Sequence, residues 1–501
     1  MPNGTVLLSL VAIPAYFAVC LLVGRLLTQL LANRPEAVSV AGAPLLGAAT
    51  LGVQLWLYGT ARIPWNPITL VLPWLILAWI RRQPLHAALV ADWSRLRIEG
   101  RAAQALDTFA IVVATLTGIL MFTYLLNLIT EPLTGFDAIS MWFFKAKVFF
   151  LSQGLNLSSI GGLGTYQPGD SGPFHVTAGL IRNLDYPPLF SLMVASVYAL
   201  VGGVHDTLGK GVDFIFIIVA AATVWTSLAP ILGRRLAMIF MFLVTAVPTV
   251  QTALDNPIDT GYADYGLGVA MLASLANLQR AWSGGQSSTW VLAIVFASIA
   301  ALLKQEGLLL LVLVMLLAAW RARQLLASPA VVASIGVVSA WEVTASMHGW
   351  RAHHLLNDSL ASLPSVLPTR AVLIAAYTVM VVIHDGKVLW LAAAYGVSVW
   401  LVLRGARSTA GIVLVALTLQ FVAYFAVFTL NPGEFVGIVD RLAIQATPGL
   451  VLLLGLAIAV PSARSGTPVR SLPRDRRQVV LAEQVGVEVI DRADVRGREL
   501  E

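Results

Sequence analysis

Apolar runs of near twenty residues alternate with short polar breaks from residue 5 to residue 461. Hydrocarbon offers no water to satisfy a backbone, so segments of this length must close their hydrogen bonds internally, as helices. The pattern predicts an all-α, polytopic integral membrane protein. Spans are expected near 5–32, 39–60, 66–80 and 107–129, then near 209–230, 235–252, 262–281, 289–304, 307–322, 329–346, 388–403, 409–430 and 442–461, thirteen in all. Two further apolar stretches, 188–203 and 371–383, break the alternation of crossings and are expected along the outer membrane interface. From Trp290 to Trp320 the run has 31 residues. At about 1.5 Å per residue that is too long for one crossing of about 30 Å, and "KQEG" interrupts it. Two short helices meeting at 304–307 are therefore predicted.

Basic residues in short loops mark the cytosolic side of such a protein. Arg25, Arg34, Arg81, Arg82, Arg234, Arg235, Arg280, Arg321, Arg323, Arg404 and Arg407 all fall on one side if the N-terminus is outside. Residues 81–101 read as a basic cytosolic loop. The run at 5–32 has neither a basic start nor a small-residue cleavage site, which favours a first transmembrane helix over a signal peptide. The tail from 462 is polar, arginine-rich and proline-containing, the composition of a poorly ordered cytosolic segment. Three parts follow: a three-helix membrane segment with its basic loop at 1–104, a membrane core at 105–461, and the tail at 462–501.

Composition agrees. The chain is 58% hydrophobic and 12% charged, with a mean hydropathy of +0.81, which excludes an ordinary soluble globule. Its net charge of +6 is scattered between apolar runs and in the tail, so it reports topology and not a nucleic-acid partner. Cys20 is the sole cysteine and lies in the first span, which leaves no intrachain disulfide and no cysteine-based metal site.

The chemistry-bearing residues collect on the predicted outer side. In "GFDAISMWFFKAK", 135–147, Asp137 precedes a predicted helix, where capping is its ordinary role. At 100° per residue, Asp137, Ser140, Phe144 and Lys147 share one face of that helix, and Lys145 points elsewhere. The aromatic content, Trp142 included, is that of a helix lying in the interface. All five lysines, Lys145, Lys147, Lys210, Lys304 and Lys387, fall on or near the outer side, the reverse of the orientation rule. Snorkelling explains each lysine singly; the group points to an anionic ligand.

"RNLDYPPLF" adds Asp185 and Tyr186 before a double proline that holds the chain extended and then releases a helix. "NPIDTGYADYG" places Asp259 and Asp264 at a helix entrance, where capping is again ordinary. "KQEG" sets Lys304 and Glu306 at a helix break, as a mutual pair or as a site. Glu342, inside an apolar span near its outer end, is expected to face a wet cavity. Arg441 opens the last span. His353, His354 and Asp358 share an outer loop without the spacing of a zinc site, and no phosphate-binding or dinucleotide glycine motif is present.

The order of "GFDAISMWFFKAK", "LDYPPLF", "GYADYGLGVAMLASL", "LLKQEGLLLL" and "DRLAIQATPGL" resembles the GT-C superfamily of polytopic glycosyltransferases, which includes protein mannosyltransferases and lipid A aminoarabinose transferases. It spans about 105–461. The resemblance implies a plasma-membrane enzyme, active on the extracytoplasmic face, that takes a sugar from a polyprenyl-phosphate donor to a hydroxyl of a glycan, lipid or protein. Asp137 takes the place of the catalytic aspartate, and Asp185 that of the acidic or histidine position before the prolines. Lys304 resembles the lysine after the paired helices, and Arg441 the arginine opening the last core helix. With Lys145, Lys147, Trp142, Tyr186, Asp264 and Glu306 they form the expected donor and substrate site. Ala138 follows Asp137 where many relatives carry Asp-Glu, so no carboxylate pair is there for a metal; a divalent cation stays an open cofactor. The three-helix segment at 1–104 precedes this core, whereas relatives usually reach the first motif after one helix. The alternative from another class is a transporter or flippase of an amphipathic anion, with charges lined up across the membrane.

Overall fold

The computed structural model describes residues 3–31, 40–103, 108–133, 137–155, 186–255, 263–284, 286–347, 363–384, 386–405, 409–430 and 435–462. They are helical almost throughout, with no strand among the described residues. In chain order the helices are α1 Asn3–Leu31, α2 Ala43–Ala61, α3 Pro67–Ile80, α4 Arg82–Ala103, α5 Thr108–Thr130, α6 Phe143–Ser152, α7 Leu189–Val201, α8 Asp206–Gly209 and α9 Gly211–Leu232. There follow α10 Arg234–Asp255, α11 Ala263–Trp282, α12 Ser287–Leu303, α13 Gly307–Arg321, α14 Pro329–Met347, α15 Leu363–His384, α16 Gly386–Gly405, α17 Thr409–Leu430 and α18 Phe435–Ser462. Residues 1–458 form one compact unit, and all that follows concerns it.

Segments Leu8–Leu31, Val40–Ala61, Thr108–Thr130, Asp206–Leu232 and Pro329–Met347 are long and apolar enough to cross a bilayer. Other apolar helices, such as α12 and α13, are shorter. Trp79, Phe122, Val372 and Leu403 stand more than half exposed on the outside of the bundle. Apolar surface of that extent suits lipid and not water. The architecture is that of a helical membrane protein.

The bundle is built around α7, α11 and α12, which are buried nearly all round. Such helices have no polar face and belong inside a packed structure. α1 packs along α2, α2 along α7, and α11 along both α9 and α12. Tyr16 of α1 reaches Ser196 Oγ of α7 at 2.8 Å. The first two helices are thus part of the central packing.

Two expectations are corrected. The 81–101 segment is the helix α4, not a loop: Leu85 and Ala88 are buried, Gln29 donates to the Pro84 carbonyl, and Arg25 pairs with Asp92 at 2.9 Å. Charged residues lie on several sides of this helix, and a count of charges reads such a stretch as a loop. The 188–203 stretch does not lie along an interface, because every residue of α7 from Leu189 to Ala199 is buried. An interfacial helix would keep a polar face to the headgroups, and this stretch has none. The 371–383 stretch belongs to the 22-residue α15, whose apolar part, Leu367–Met380, is among the shorter apolar helices and exposes Val372, Leu373 and Val379.

Candidate functional site

The break at "KQEG" builds the centre of the site. α12 ends at Lys304, whose extended backbone (φ −153°, ψ 152°) turns the chain, and α13 starts at Gly307. The two helices pack as a hairpin. A Cβ on Gly307 would lie 2.2 Å from the Ala300 carbonyl carbon, so only glycine lets α13 begin this close to α12. The turn holds Lys304 and Glu306 over the start of α11.

Lys304 Nζ lies 2.8 Å from Asp264 Oδ1 and 3.0 Å from Glu306 Oε1. Asp264 sits in the first turn of α11, where the helix dipole favours an anion. Asp264 and Lys304 are only 1% and 2% exposed. Two charges so far from water persist only when paired, and each supplies the other's compensation. Gln445 of α18 donates to Asp264 Oδ1 and accepts from the Tyr424 hydroxyl at 2.8 Å. Gly268, one turn from Asp264, makes room for this: a Cβ there would meet the Gln445 carbonyl oxygen at 2.6 Å. Gln420 donates to the Glu306 carbonyl at 3.1 Å.

The other half of the site comes from α6 and the segment before α7. Residues Ala138–Trp142 form a π-turn, closed by the Phe143 amide on the Ala138 carbonyl. A π-turn takes one extra residue per turn and advances everything after it by about 100° relative to an α-helix. The predicted face is corrected accordingly. Ser140 is buried, Lys147 turns away to Asp206, and Lys145 is the lysine that enters the site. Nor does this segment lie in an interface, because Trp142, Phe143 and Phe149 are completely buried.

Lys145, 3% exposed, donates to the Tyr186 carbonyl at 3.4 Å. The Tyr186 ring lies 5.7 Å from that of Trp142, and Lys304 Nζ stands 5.7 Å from its centroid. Tyr186 therefore joins the two halves, with an aromatic partner and a cation both near its ring. Ser191 of α7 donates to the Trp142 carbonyl at 2.8 Å and fixes the π-turn to α7. Among the described residues, the buried Trp142 Nε1 and Glu306 Oε2 have no hydrogen-bond partner in the chain. One is a donor and the other an acceptor.

Of the residues expected at the site, the fold gathers Lys145, Trp142, Tyr186, Asp264, Lys304 and Glu306. Asp137 is half-buried one π-turn before Trp142, in helical conformation. Its side chain makes no capping bond, which corrects that expectation. Lys147 is half-exposed in a 2.7 Å ion pair with Asp206, and the fully buried Lys210 donates to the Glu131 carbonyl. Glu342 faces out on the exposed side of α14 beside Val343, not into a cavity. Asp185, Asp259, His353, His354 and Asp358 lie outside the described residues, as do the side chains of Lys387 and Arg441. No group of three or more His, Cys, Asp or Glu with a metal-binding arrangement occurs among the described residues. Lys304 itself supplies the positive charge between Asp264 and Glu306. Gln445, Gln420 and Tyr424 were missed in the sequence; their signal was an amide or hydroxyl inside an apolar span, which is weak without a partner.

At the far end of the same helices the chemistry changes. Trp282 packs on Trp290 and Trp320 at 6.4 and 5.8 Å, and the Arg321 guanidinium stacks on Trp282 at 4.7 Å. Arg82 on Trp79 and Arg404 on Trp400 repeat this pairing at the ends of α3 and α16. Arginine and tryptophan together suit a membrane–water boundary.

No family model, curated protein or solved structure matches this chain.

Proposed function

We propose that this protein is an inverting membrane glycosyltransferase that moves a sugar from a polyprenyl-phosphate donor to an acceptor hydroxyl at the outer membrane face. The finer topology of thirteen spans belongs to the same proposal. The observation that carries it is the cluster of Lys145, Trp142, Tyr186, Asp264, Lys304 and Glu306, drawn from four separate parts of the chain to one level at helix ends. A cluster of this kind favours a single reaction site over the line of charges a transporter would need.

The chemistry follows from the groups. The leaving phosphate needs no general acid, so one base is sufficient. Asp137 removes the proton of the acceptor hydroxyl as its oxygen attacks the anomeric carbon. The bond to the phosphate breaks on the opposite face, and the configuration inverts. Lys145 opposes the charge that develops on the phosphate, an effect stronger in a site poor in water. Lys304 is already compensated by two carboxylates, so its part is to hold Glu306 and Asp264 in place. The sugar lies beside Tyr186, with a hydroxyl that donates to Glu306 Oε2, an acceptor without a partner among the described residues.

The test is Asp137→Asn in purified full-length protein, assayed with a panel of radiolabelled polyprenyl-phosphate sugars. A folded protein with transfer reduced at least about 10²-fold is expected, as for loss of a general base. Near-wild-type transfer would refute the assignment.

A further inference from the structure

A small cavity of about 10 Å³ lies inside the bundle where α1, the start of α2, α9, α11 and α12 meet. Its lining includes Thr28, Gly42, Thr223, Asn277, Arg280 and Phe296, with no acidic residue among the described residues that line it. Positions 273, 276, 277 and 280 are one face of α11, and 223 and 226 one face of α9. Along α11 the rise from Asp264 to Arg280 is about 24 Å, so this cavity is separate from the charged cluster.

Three features make it electropositive. The first is the start of α2. A 3₁₀ turn, Val40–Gly42, leads into that helix, and its N-cap Gly42 brings no side chain to the first-turn amides. The positive end of the helix dipole therefore faces the cavity uncapped. Glycine is required there, because a Cβ would lie 2.4 Å from Cζ of the Phe296 ring. The second feature is Arg280, which is half-buried and donates only to neutral oxygens, Thr226 Oγ1 at 3.4 Å and Ser227 Oγ at 3.3 Å. It makes no ion pair among the described residues. Arg25, one turn before Thr28, has the Asp92 carboxylate at 2.9 Å.

The third feature is the Thr223 hydroxyl, which is without a partner among the described residues although Thr223 is only 4% exposed. The neighbouring donors are spent on backbone carbonyls: Thr28 on Arg25 at 2.8 Å, Thr226 on Thr223 at 3.3 Å and Asn277 on Ala273 at 2.8 Å. A buried hydroxyl left unmet is destabilising, and an acceptor in the cavity removes that cost.

We propose that this cavity binds one inorganic anion of halide size. Volume sets the class: there is room for one water-sized group, so a monatomic anion fits and a phosphate or carboxylate does not. Charge sets the sign. A helix N-terminus and a guanidinium both favour a negative occupant, whereas a water would satisfy Thr223 and leave Arg280 without a counter-charge. The ion accepts from Thr223, opposes Arg280 and ties the start of α2 to α9 and α11. None of this depends on the transferase reading.

The test uses the purified full chain in detergent, in sodium chloride, sodium bromide or sodium gluconate at one ionic strength. Gluconate is too large for the cavity. Chloride and bromide are expected to raise the unfolding midpoint of the wild type saturably, by about 2–5 °C over gluconate. Thr223→Val and Arg280→Gln should each raise the concentration of half effect at least about tenfold. Arg321→Gln, whose guanidinium stacks on Trp282 outside the cavity, should leave it within about twofold. Crystals of the wild type grown in bromide should show an anomalous peak between Gly42, Thr223 and Arg280.

Equal midpoints in chloride and gluconate overturn the proposal, and so does a chloride effect that survives Thr223→Val or Arg280→Gln. Loss of the effect in Arg321→Gln would make it a property of surface charge and also overturns it. The bromide crystal needs no variant and decides the matter where one fails to fold. A peak in the cavity supports the site, and an ordered water there without a peak removes it.

Discussion

The helices α11, α12 and α13 hold charge at both ends, and the two ends differ in kind. At one, Asp264, Lys304 and Glu306 form an ion-paired set whose first two members are nearly inaccessible. At the other, about 27 Å away along α11 by its eighteen residues of rise, Arg321 stacks on Trp282 beside a Trp320 that is 76% exposed. The exposed end needs only aromatic surface and a cation at a boundary, and nothing there depends on distant residues being correctly placed. The buried end works only if a turn, two helices and a glutamine from α18 arrive together. The difference teaches where specificity resides: in the charges that the fold had to compensate, not in those the solvent could serve.

Removing one member of the buried set should break the comparison most sharply. Asp264→Ala leaves Lys304 with Glu306 alone and Gln445 without its acceptor, an expected loss of about 3–5 kcal/mol in unfolding measured in detergent. The double replacement Asp264→Leu, Lys304→Met should recover part of that loss, because the uncompensated charge goes with it. Next comes Gly307→Ala, whose methyl meets backbone and must open the α12–α13 turn. An expected cost of about 1–3 kcal/mol would appear in the same assay, with transfer activity falling further because Lys304 and Glu306 shift.

At the exposed end Arg321→Ala should cost about 0.5–1 kcal/mol and leave transfer unchanged. An effect as large as that of Asp264→Ala would erase the distinction between the two ends. The half-exposed Lys147–Asp206 pair should behave like the exposed end: Lys147→Ala is expected to change stability by about 0.2–1 kcal/mol, an effect reduced by salt.

Much of the site was legible as a set of residues and little of it as an arrangement. Asp264, Lys304 and Glu306 were visible because charge inside apolar sequence is expensive and rarely idle. That Asp264 and Lys304 are partners was not visible, since forty positions separate them. The choice between Lys145 and Lys147 was misread because the wheel assumed an unbroken α-helix, and one π-turn re-phases it. Gln445 stood within a quoted motif, but its neighbour Arg441 drew the attention that its charge invites.

Along one dimension the chain determined most of its helices: apolar runs of bilayer length and the interruption at "KQEG" place many of them to within a few residues, because backbone hydrogen bonding in hydrocarbon is a local demand, whereas the polar α4 escaped this signal. Which faces meet was decided only in three dimensions. Gln445 reaches Asp264 across 181 positions, α7 is interior where the alternation of crossings suggested an interface, and α2 shares a groove with α12 and α14 from the far half of the chain. Packing selects among helical faces that are nearly equal in hydrophobicity, and no local pattern contains that choice.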